Sequence, residues 1–397
     1  MPILVLIVFS VMAAFALLLP TIMFFLQNLG ASTAQATQIL ACYSLAQFMA
    51  GPFLGRLSDR LGRKPVMMVA LITSCLSYYC LANYSNGLVG VAVTIACAGF
   101  CAGVVPVIFA AATDITTVEK RSASLGALGA GIGTAFTLGP AFGAFLGNSE
   151  AGQASITLPA SFSCLMVLVG FGAACFWRTK TDANLAQTKE HTAGHSSIAQ
   201  LAVLRYIKSK PILMVICLMM FFFTLALALM EPVMPYFTHD RFSWGPKDLG
   251  YLFAYAGLVV IIVQGGLVGR LAKKYGELNL TRYGALSMAV GLIVMVYSPS
   301  PVWVFLAVTM TGTGSALFNT SILTTGSKVA TPNERGLILG AIQSMQALGR
   351  STGPLIAGAL YVHAQHIPML AGVGLMVFVG ALSVLLFGFV RKELIQR

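Results

Sequence analysis

The sequence predicts an all-α membrane protein with twelve transmembrane helices in two pseudo-symmetric six-helix bundles, and two observations carry this prediction. The first is composition: of 397 residues, 57% are hydrophobic and only 9% are charged, with a mean hydropathy of +0.85. A soluble domain carries about 25% charged residues, so most of this surface must face lipid. The second is an internal repeat, because residues recur at a constant separation of 214 positions: Gly51 as Gly265, Gly62 as Gly276, and Gly139-Pro140 as Gly353-Pro354. A constant separation between distant landmarks indicates two copies of one unit.

The apolar runs are each long enough to cross a bilayer, which takes about 20 residues. The first run continues to about Leu26, so it predicts a membrane helix and not a secretory signal. Spans 1 to 6 are predicted at residues 3–27, 36–56, 65–84, 88–112, 122–147 and 158–178. Spans 7 to 12 are predicted at residues 211–237, 246–271, 279–298, 302–326, 335–362 and 367–390. We therefore expect one bundle at residues 1–178, a polar cytoplasmic linker at 179–210 and a second bundle at 211–397.

Lysine and arginine are distributed unevenly across this topology. Of the 24 basic residues, 21 fall in the linker, the C-terminal tail and the loops of one side, and the exceptions are Arg241, Lys247 and Arg350. Because basic loops stay in the cytoplasm, we expect both termini there, in a bacterial inner membrane. The net charge of +12 follows from this bias and does not indicate a nucleic-acid partner.

Three sequence patterns could indicate a disulfide or zinc site, a histidine metal site or a serine nucleophile, but each has a simpler explanation. The eight cysteines lie in apolar segments and form no CxxC pair, so neither a disulfide framework nor a zinc site is predicted. His191 and His195 flank a helix-breaking glycine in the linker, with no third metal ligand nearby. Residues 349–353 match the G-x-S-x-G nucleophile elbow, but they lie inside a predicted helix and not at a strand–helix turn. We therefore expect no enzyme, no cofactor and no metal.

The loop after span 2 carries the most specific motif of the chain. Residues 55–64 read G-R-L-S-D-R-L-G-R-K, which fits the pattern G-x-x-x-D-R-x-G-R-[KR]. This loop resembles motif A of the major facilitator superfamily, and most closely that of the drug/proton antiporter branch that includes the tetracycline-efflux proteins. The matching residues are Gly55, Asp59, Arg60, Gly62, Arg63 and Lys64. The resemblance covers the whole chain and implies the major facilitator fold.

Spans 5 and 11 carry a second match. Small residues at regular spacing let helix backbones approach closely in lipid, and the glycine–proline pattern here resembles motif C, which is associated with antiporters. Ala135 and Ala144 stand where glycine is usual in span 5. The helix-packing residues that we expect from this motif are Gly126, Gly139, Pro140 and Gly143 in span 5, and Gly340, Gly349, Gly353 and Pro354 in span 11.

The resemblance implies a role for motif A as a latch on the cytoplasmic side. By the family's architecture Asp59 faces the start of span 11, where the helix dipole favours a carboxylate, and Arg63 pairs with Asp114 at the end of span 4. The latch would hold in the outward-open state and break in the inward-open state. The alternative is that these charges only set the topology. In the second half the acids are replaced by Lys273 and Lys328, so we expect the latch on one side of the repeat only.

Two charges are predicted deep in the membrane, Glu231 late in span 7 and Arg350 near the middle of span 11. An ionisable residue inside a bilayer is costly and by default functional. Pro232 and Pro235 should break span 7 at Glu231. We expect Glu231 to be the proton or cation site; the alternatives are that Glu231 lies in interfacial water and that Arg350 only pairs with it or with helix carbonyls.

Six further polar residues are candidates for the same site. Each is as compatible with helix–helix hydrogen bonding as with ligand contact. They are Gln47, Tyr255, Gln264, Asn319, Gln343 and Gln346. The first half departs from tetracycline-type exporters, since spans 1 to 3 have no buried acid and span 4 has no arginine.

Together these features predict a secondary transporter that works by alternating access, as a monomer, with protons, a small-molecule substrate and the bilayer as partners. The leading function is proton-coupled efflux of small lipophilic or cationic compounds, as in multidrug and tetracycline resistance. The alternative is proton-coupled uptake of an organic anion or metabolite that contacts Arg350. A receptor or scaffold that has lost transport is a remote third, because it would not need a breakable latch.

Overall fold

A computed structural model describes residues 1–84, 87–147, 155–177, 210–329 and 335–396, and every regular element among them is a helix. The predicted linker, with His191 and His195, lies outside the described residues apart from its last position. Ten helical segments of the described chain are long and apolar enough to cross a membrane. Spans 2 and 11 complete the predicted set as continuous helices of 29 and 27 residues. The all-α membrane fold is confirmed.

The helix bounds follow the predicted spans closely. In the first half, spans 1 to 6 comprise Pro2–Ala16 with Leu19–Asn28, Thr33–Leu61, Arg63–Tyr84, Leu88–Ala102 with Val105–Asp114, Val118–Leu146, and Thr157–Phe176. In the second half, span 7 comprises Pro211–Met230 with Met234–Phe242, and span 8 comprises Pro246–Ile262, a π-helix at Val263–Leu267, and Val268–Tyr275. Spans 9 to 12 are Glu277–Val296, Pro301–Val329, Arg335–Tyr361 and Ile367–Gln396.

Three of the described spans are interrupted, each just before a proline. Spans 1, 4 and 7 restart with a proline in the second position of the new helix: Pro20, Pro106 and Pro235. Proline lacks an N–H and disfavours helical geometry in the residue before it, so the preceding helix ends there. Only the break in span 7 was predicted from the sequence.

The turns from span 2 to span 3 and from span 8 to span 9 each consist of one glycine. Gly62 has a φ of +93° and Gly276 a φ of +78°. A side chain would be strained in this left-handed region, so glycine is needed at both turns. The repeat therefore preserves a backbone requirement as well as a sequence pattern.

The chain divides into two compact units, Met1–Gly30 with Cys42–Arg205, and Ala31–Ala41 with Tyr206–Arg397. In the first unit, span 1 packs on spans 5 and 6, and span 3 packs on spans 4 and 6. In the second unit, span 7 packs on spans 11 and 12, and span 9 packs on spans 10 and 12. Each contact of one unit recurs six spans later, so the duplicated sequence has duplicated packing.

Motif C glycines lie where span 5 meets span 1. A Cβ atom at Gly143 would overlap the carbonyl oxygen of Leu17, and one at Gly139 would lie 2.6 Å from the Cβ of Ala16. The second unit repeats this approach, since a Cβ at Gly353 would overlap Ala228.

The rest of motif C behaves in two ways. A Cβ at Gly349 would lie 2.7 Å from the carbonyl oxygen of Phe221, which is again too close. Gly126 and Gly340, expected to be packing residues, have open space where a Cβ would stand within the described chain. Close packing therefore requires glycine in only part of the motif. Pro140 and Pro354 lie within the continuous helices of spans 5 and 11.

We expect Gly143→Ala and Gly353→Ala to lower the thermal stability of the purified protein, because the added methyl group overpacks a helix contact at a cost of about 1–3 kcal/mol. Gly126→Ala and Gly340→Ala are the matched controls from the same motif and should be neutral or slightly stabilising, because alanine favours a helix. Melting in detergent measures all four. Equal losses in both pairs would contradict this account of the packing.

Candidate functional site

Span 7 is interrupted at the membrane acid. The helix Pro211–Met230 ends at Glu231, and the next helix begins at Met234. At 1.5 Å per residue, Glu231 lies roughly 30 Å along the span from its N-terminal end. The predicted break at Glu231 is confirmed. Span 1, the counterpart of span 7, is also broken, at Leu17–Leu18. Interrupted helices at corresponding places in two halves are typical of transporter binding sites.

Glu231 and Arg350 form an ion pair. The Nη2 atom of Arg350 lies 3.4 Å from the Oε1 atom of Glu231, and the two side chains are 30% and 34% exposed. This distance is long for a charge-assisted hydrogen bond, which is usually about 2.7–2.9 Å. The pair is therefore weak and partly exposed, so a ligand can reach either side chain.

The neighbourhood of Arg350 rules out the nucleophile elbow. Ser351 lies inside the helix Arg335–Tyr361, and its hydroxyl donates to the carbonyl of Leu348 at 2.9 Å. A nucleophile elbow needs a strained strand–helix turn, which this helix does not provide.

Three of the other polar candidates are engaged within their own units. The Nε2 atom of Gln47 donates to the carbonyl of Ala102 at 3.5 Å, beside the break in span 4. The hydroxyl of Tyr255 bonds to that of Thr309 at 2.7 Å, joining spans 8 and 10. The amide of Asn319 donates to the carbonyl of Ser315 at 3.0 Å on its own helix.

The remaining three candidates lie in different surroundings. Gln343 and Gln346 are half-buried on span 11, the helix that also carries Arg350. Gln264 lies in the π-helix of span 8 and borders a cavity formed by spans 8, 9 and 10. The six candidates therefore do not form one cluster.

In motif A, Arg63 is the centre of a charge cluster. Its Nη1 atom lies 2.6 Å from the Oδ1 atom of Asp59 and 2.6 Å from the hydroxyl of Ser58. Its Nε atom donates to the Oδ2 atom of Asp114 at 3.1 Å. Arg63 is 20% exposed and Asp114 30%, so their ion pair is less screened than an ordinary surface pair, whereas Asp59 is 49% exposed. The cluster ties the turn after span 2 to the end of span 4, and Ser58 is a member that the sequence reasoning missed.

The other motif residues have separate roles. The Nζ atom of Lys64 donates to the carbonyls of Cys175 and Trp177 at 2.7 and 2.9 Å. A cation at a helix C-terminus is favourable, so Lys64 fastens span 3 to the end of span 6. Arg60 is exposed, and Gly55 has open space where a Cβ would stand.

Two repeated helical units in a membrane, broken helices at matching places and partly exposed ion pairs define a secondary transporter. The sequence profile described as Major Facilitator Superfamily matches residues 4–354, and the chain belongs to this family. Its members are transport proteins and not enzymes, as the sequence predicted.

Among similar sequences, the class B tetracycline resistance protein of Escherichia coli is 28% identical, over 82% of this chain and 79% of that protein. Multidrug resistance protein 2 of Bacillus subtilis is 24% identical, over 91% of this chain and 89% of that protein. Among solved structures, a human organic anion transporter matches with a TM-score of 0.69 and 20% identity, covering 96% of this chain and 98% of that one. A D-xylose–proton symporter matches with a TM-score of 0.71 and 15% identity, covering 95% of this chain and 96% of that one. These structural likenesses support the fold.

Proposed function

We propose that this transporter exports small lipophilic or cationic compounds in exchange for protons, in a bacterial inner membrane with both termini in the cytoplasm. The observation that carries the proposal is the weak ion pair between Glu231 and Arg350 at the break in span 7. Resistance proteins among the similar sequences support the direction and the substrate class.

In the proposed mechanism the carboxylate of Glu231 binds the substrate cation and the proton in turn. Ionised Glu231 binds the cationic group of the substrate, while Arg350 moves away from the carboxylate. Proton uptake by Glu231 on the outer side removes its charge, and the substrate cation leaves. Glu231 then releases the proton on the cytoplasmic side, which regenerates the carboxylate for the next cation. The cluster of Asp59, Arg63 and Asp114 controls the cytoplasmic side of the cycle, because its ion pairs tie the turn after span 2 to the end of span 4 while they are formed.

Proton-coupled uptake of an organic anion is the second candidate. Arg350 favours it, because protonation of Glu231 would free the guanidinium to bind a carboxylate. The similarity to the structure of a human organic anion transporter is consistent with this alternative.

The direction of the driving pH gradient separates the two functions. We expect proteoliposomes with an acidic lumen to accumulate ethidium, a permanent cation, because outward proton flow drives exchange. Nigericin, which collapses the gradient, should abolish accumulation, and protein-free liposomes are the control. Accumulation of carboxyfluorescein driven by an acidic exterior, without ethidium exchange, would favour the uptake function and contradict efflux.

A further inference from the structure

At its predicted cytoplasmic end, the second unit contains a cavity with mainly apolar walls and a few polar groups, which the proposed mechanism does not use. Its volume is about 260 Å³, and it lies among spans 8, 9 and 10. Span 8 supplies an apolar wall that includes Val268 and Ala272. The polar residues that line it are Gln264, Glu277, Thr320, Ser321 and Thr324.

Ser321, one of the lining residues, carries a buried hydroxyl without a hydrogen-bond partner among the described residues. The residue is 1% exposed. An unsatisfied buried hydroxyl is costly, so such a group indicates a missing partner. On the next turn of span 10, Thr324 donates to the carbonyl of Thr320 at 2.8 Å, which leaves the lone pairs of its hydroxyl free to accept.

Glu277 gives the cavity its charge. It is the one ionisable group among the described lining residues. Its Oε1 atom lies 2.6 Å from the Nζ atom of Lys328, which is 64% exposed and is not part of the lining. The carboxylate of Glu277 lies among hydroxyl and amide oxygens, so the cavity is rich in hydrogen-bond acceptors. The group that Glu277 now binds is the ammonium of Lys328, at the end of a flexible side chain.

The first half of the chain shows that the fold does not require these polar residues. At the positions 214 residues earlier, every uncharged polar lining residue has an apolar counterpart: Gln264 corresponds to Ala50, Thr320 to Pro106, Ser321 to Val107, and Thr324 to Ala110. Ala50 and Val107 are fully buried. Polar side chains at these four positions are therefore specific to the second half, although Ser58 of the first half stands where Ala272 lines the cavity.

The charges are exchanged between the halves as well. Glu277 corresponds to Arg63 and Lys328 to Asp114, so the ion pair of motif A recurs with its signs reversed. Both acids of motif A are replaced by lysine in the second half, as the sequence shows, and the structure adds that Glu277, in the place of Arg63, supplies a new acid that pairs with Lys328. The exchange puts a carboxylate, and not a guanidinium, on the cavity wall.

A π-helix borders the same cavity. The segment Val263–Leu267 contains Gln264 and two glycines, and π-helices are frequent at functional sites. We propose that this cavity is a second substrate site, which binds the ammonium or iminium group of an organic cation at Glu277 and Ser321 after Lys328 is displaced. The substrate class rests on the proposed efflux function.

Photolabelling with ethidium azide, followed by peptide mapping, tests the site directly. We expect label on the peptide that contains Ser321 in the purified full-length protein, competed by ethidium. Glu277→Gln should weaken labelling at least about tenfold, since a charge-assisted hydrogen bond is lost. Ser321→Val, which installs the first-half residue, should weaken it severalfold. Ser298→Ala, at a buried serine of the opposite end whose hydroxyl bonds to Met295, should leave it unchanged.

Lys328→Met is the decisive variant, because it removes the competing ammonium and should raise the affinity for ethidium. A misfolded protein would not gain binding. Label that is insensitive to both Glu277→Gln and Lys328→Met would overturn the inference. Normal ethidium exchange without label in the cavity would also overturn it, while the efflux function stands. Label in the cavity without exchange would support the site and contradict the efflux function.

Discussion

Replacing Glu231 with glutamine is expected to abolish the accumulation of ethidium driven by an acidic lumen. Glutamine keeps the size of the side chain but neither carries a charge nor releases a proton. Without that exchange the proton gradient has no means of driving the substrate, whatever the affinity of the site. We expect initial rates to fall to the level of protein-free liposomes, which corresponds to a loss of at least about a hundredfold.

Two variants control for this result. Glu231→Asp retains a carboxylate and should keep part of the activity. Asp240→Asn removes an exposed acid of the same span, which bonds to Gln365 at 2.7 Å, and should leave coupling intact. Accumulation by Glu231→Gln at the wild-type rate would exclude this residue as the coupling site.

Replacing Arg63 with alanine is expected to have the second largest effect, a loss of transport of at least about tenfold. The substitution leaves Asp59 and Asp114 without the guanidinium that holds both of them, and leaving one member of a partly buried pair unpaired is more costly than losing a surface pair. The same change should alter the accessibility of an introduced cysteine at the cytoplasmic mouth, because the equilibrium between the two states shifts. Arg270→Ala removes an exposed arginine of the second half and is the matched control.

The second half of the chain provides a rescue for this variant. The double change Arg63→Glu with Asp114→Lys rebuilds the sign-reversed pair that Glu277 and Lys328 form at 2.6 Å. All of these reversal variants also carry Asp59→Asn, because Asp59 would otherwise face a like charge at position 63. We expect this double variant to regain more transport than either single reversal, because the attraction is restored. If the double variant were as inactive as the singles, the sign of the charges, and not the pairing, would be what the gate requires.

Predictions from local chemistry held well in this chain. The break at Glu231 follows from Pro232 and Pro235, because a missing N–H interrupts a helix wherever it is placed. The breaks in spans 1 and 4 have the same cause at Pro20 and Pro106, and attention to those prolines would have found them. Motif A could be located from its sequence pattern. The hydrogen bonds of Ser58 to Arg63, and of the carbonyls at the end of span 6 to Lys64, could not be predicted, because no sequence motif marks these partners.

Packing and pairing were less predictable. The pattern of motif C treats its glycines as equal, whereas Gly143 has no room for a methyl group and Gly126 has ample room. The pair of Glu277 and Lys328 could not be predicted from either position alone. Both charges are opposite to those of Arg63 and Asp114 in the first half, and this reversal means a conserved pairing only if the two residues are known to be in contact.

The amino-acid sequence by itself determined that this protein lies in a membrane, that it consists of two copies of one helical unit, and where its charged residues fall along each span. These properties depend on apolar length, charge placement and repetition, all of which are local or periodic. Only the tertiary structure decided which charges meet, which glycines are crowded and which buried hydroxyl lacks a partner among the described residues. Those outcomes depend on distances of a few ångströms between helices that are far apart in the chain, and helix rotation and depth set such distances without leaving a periodic trace in the sequence.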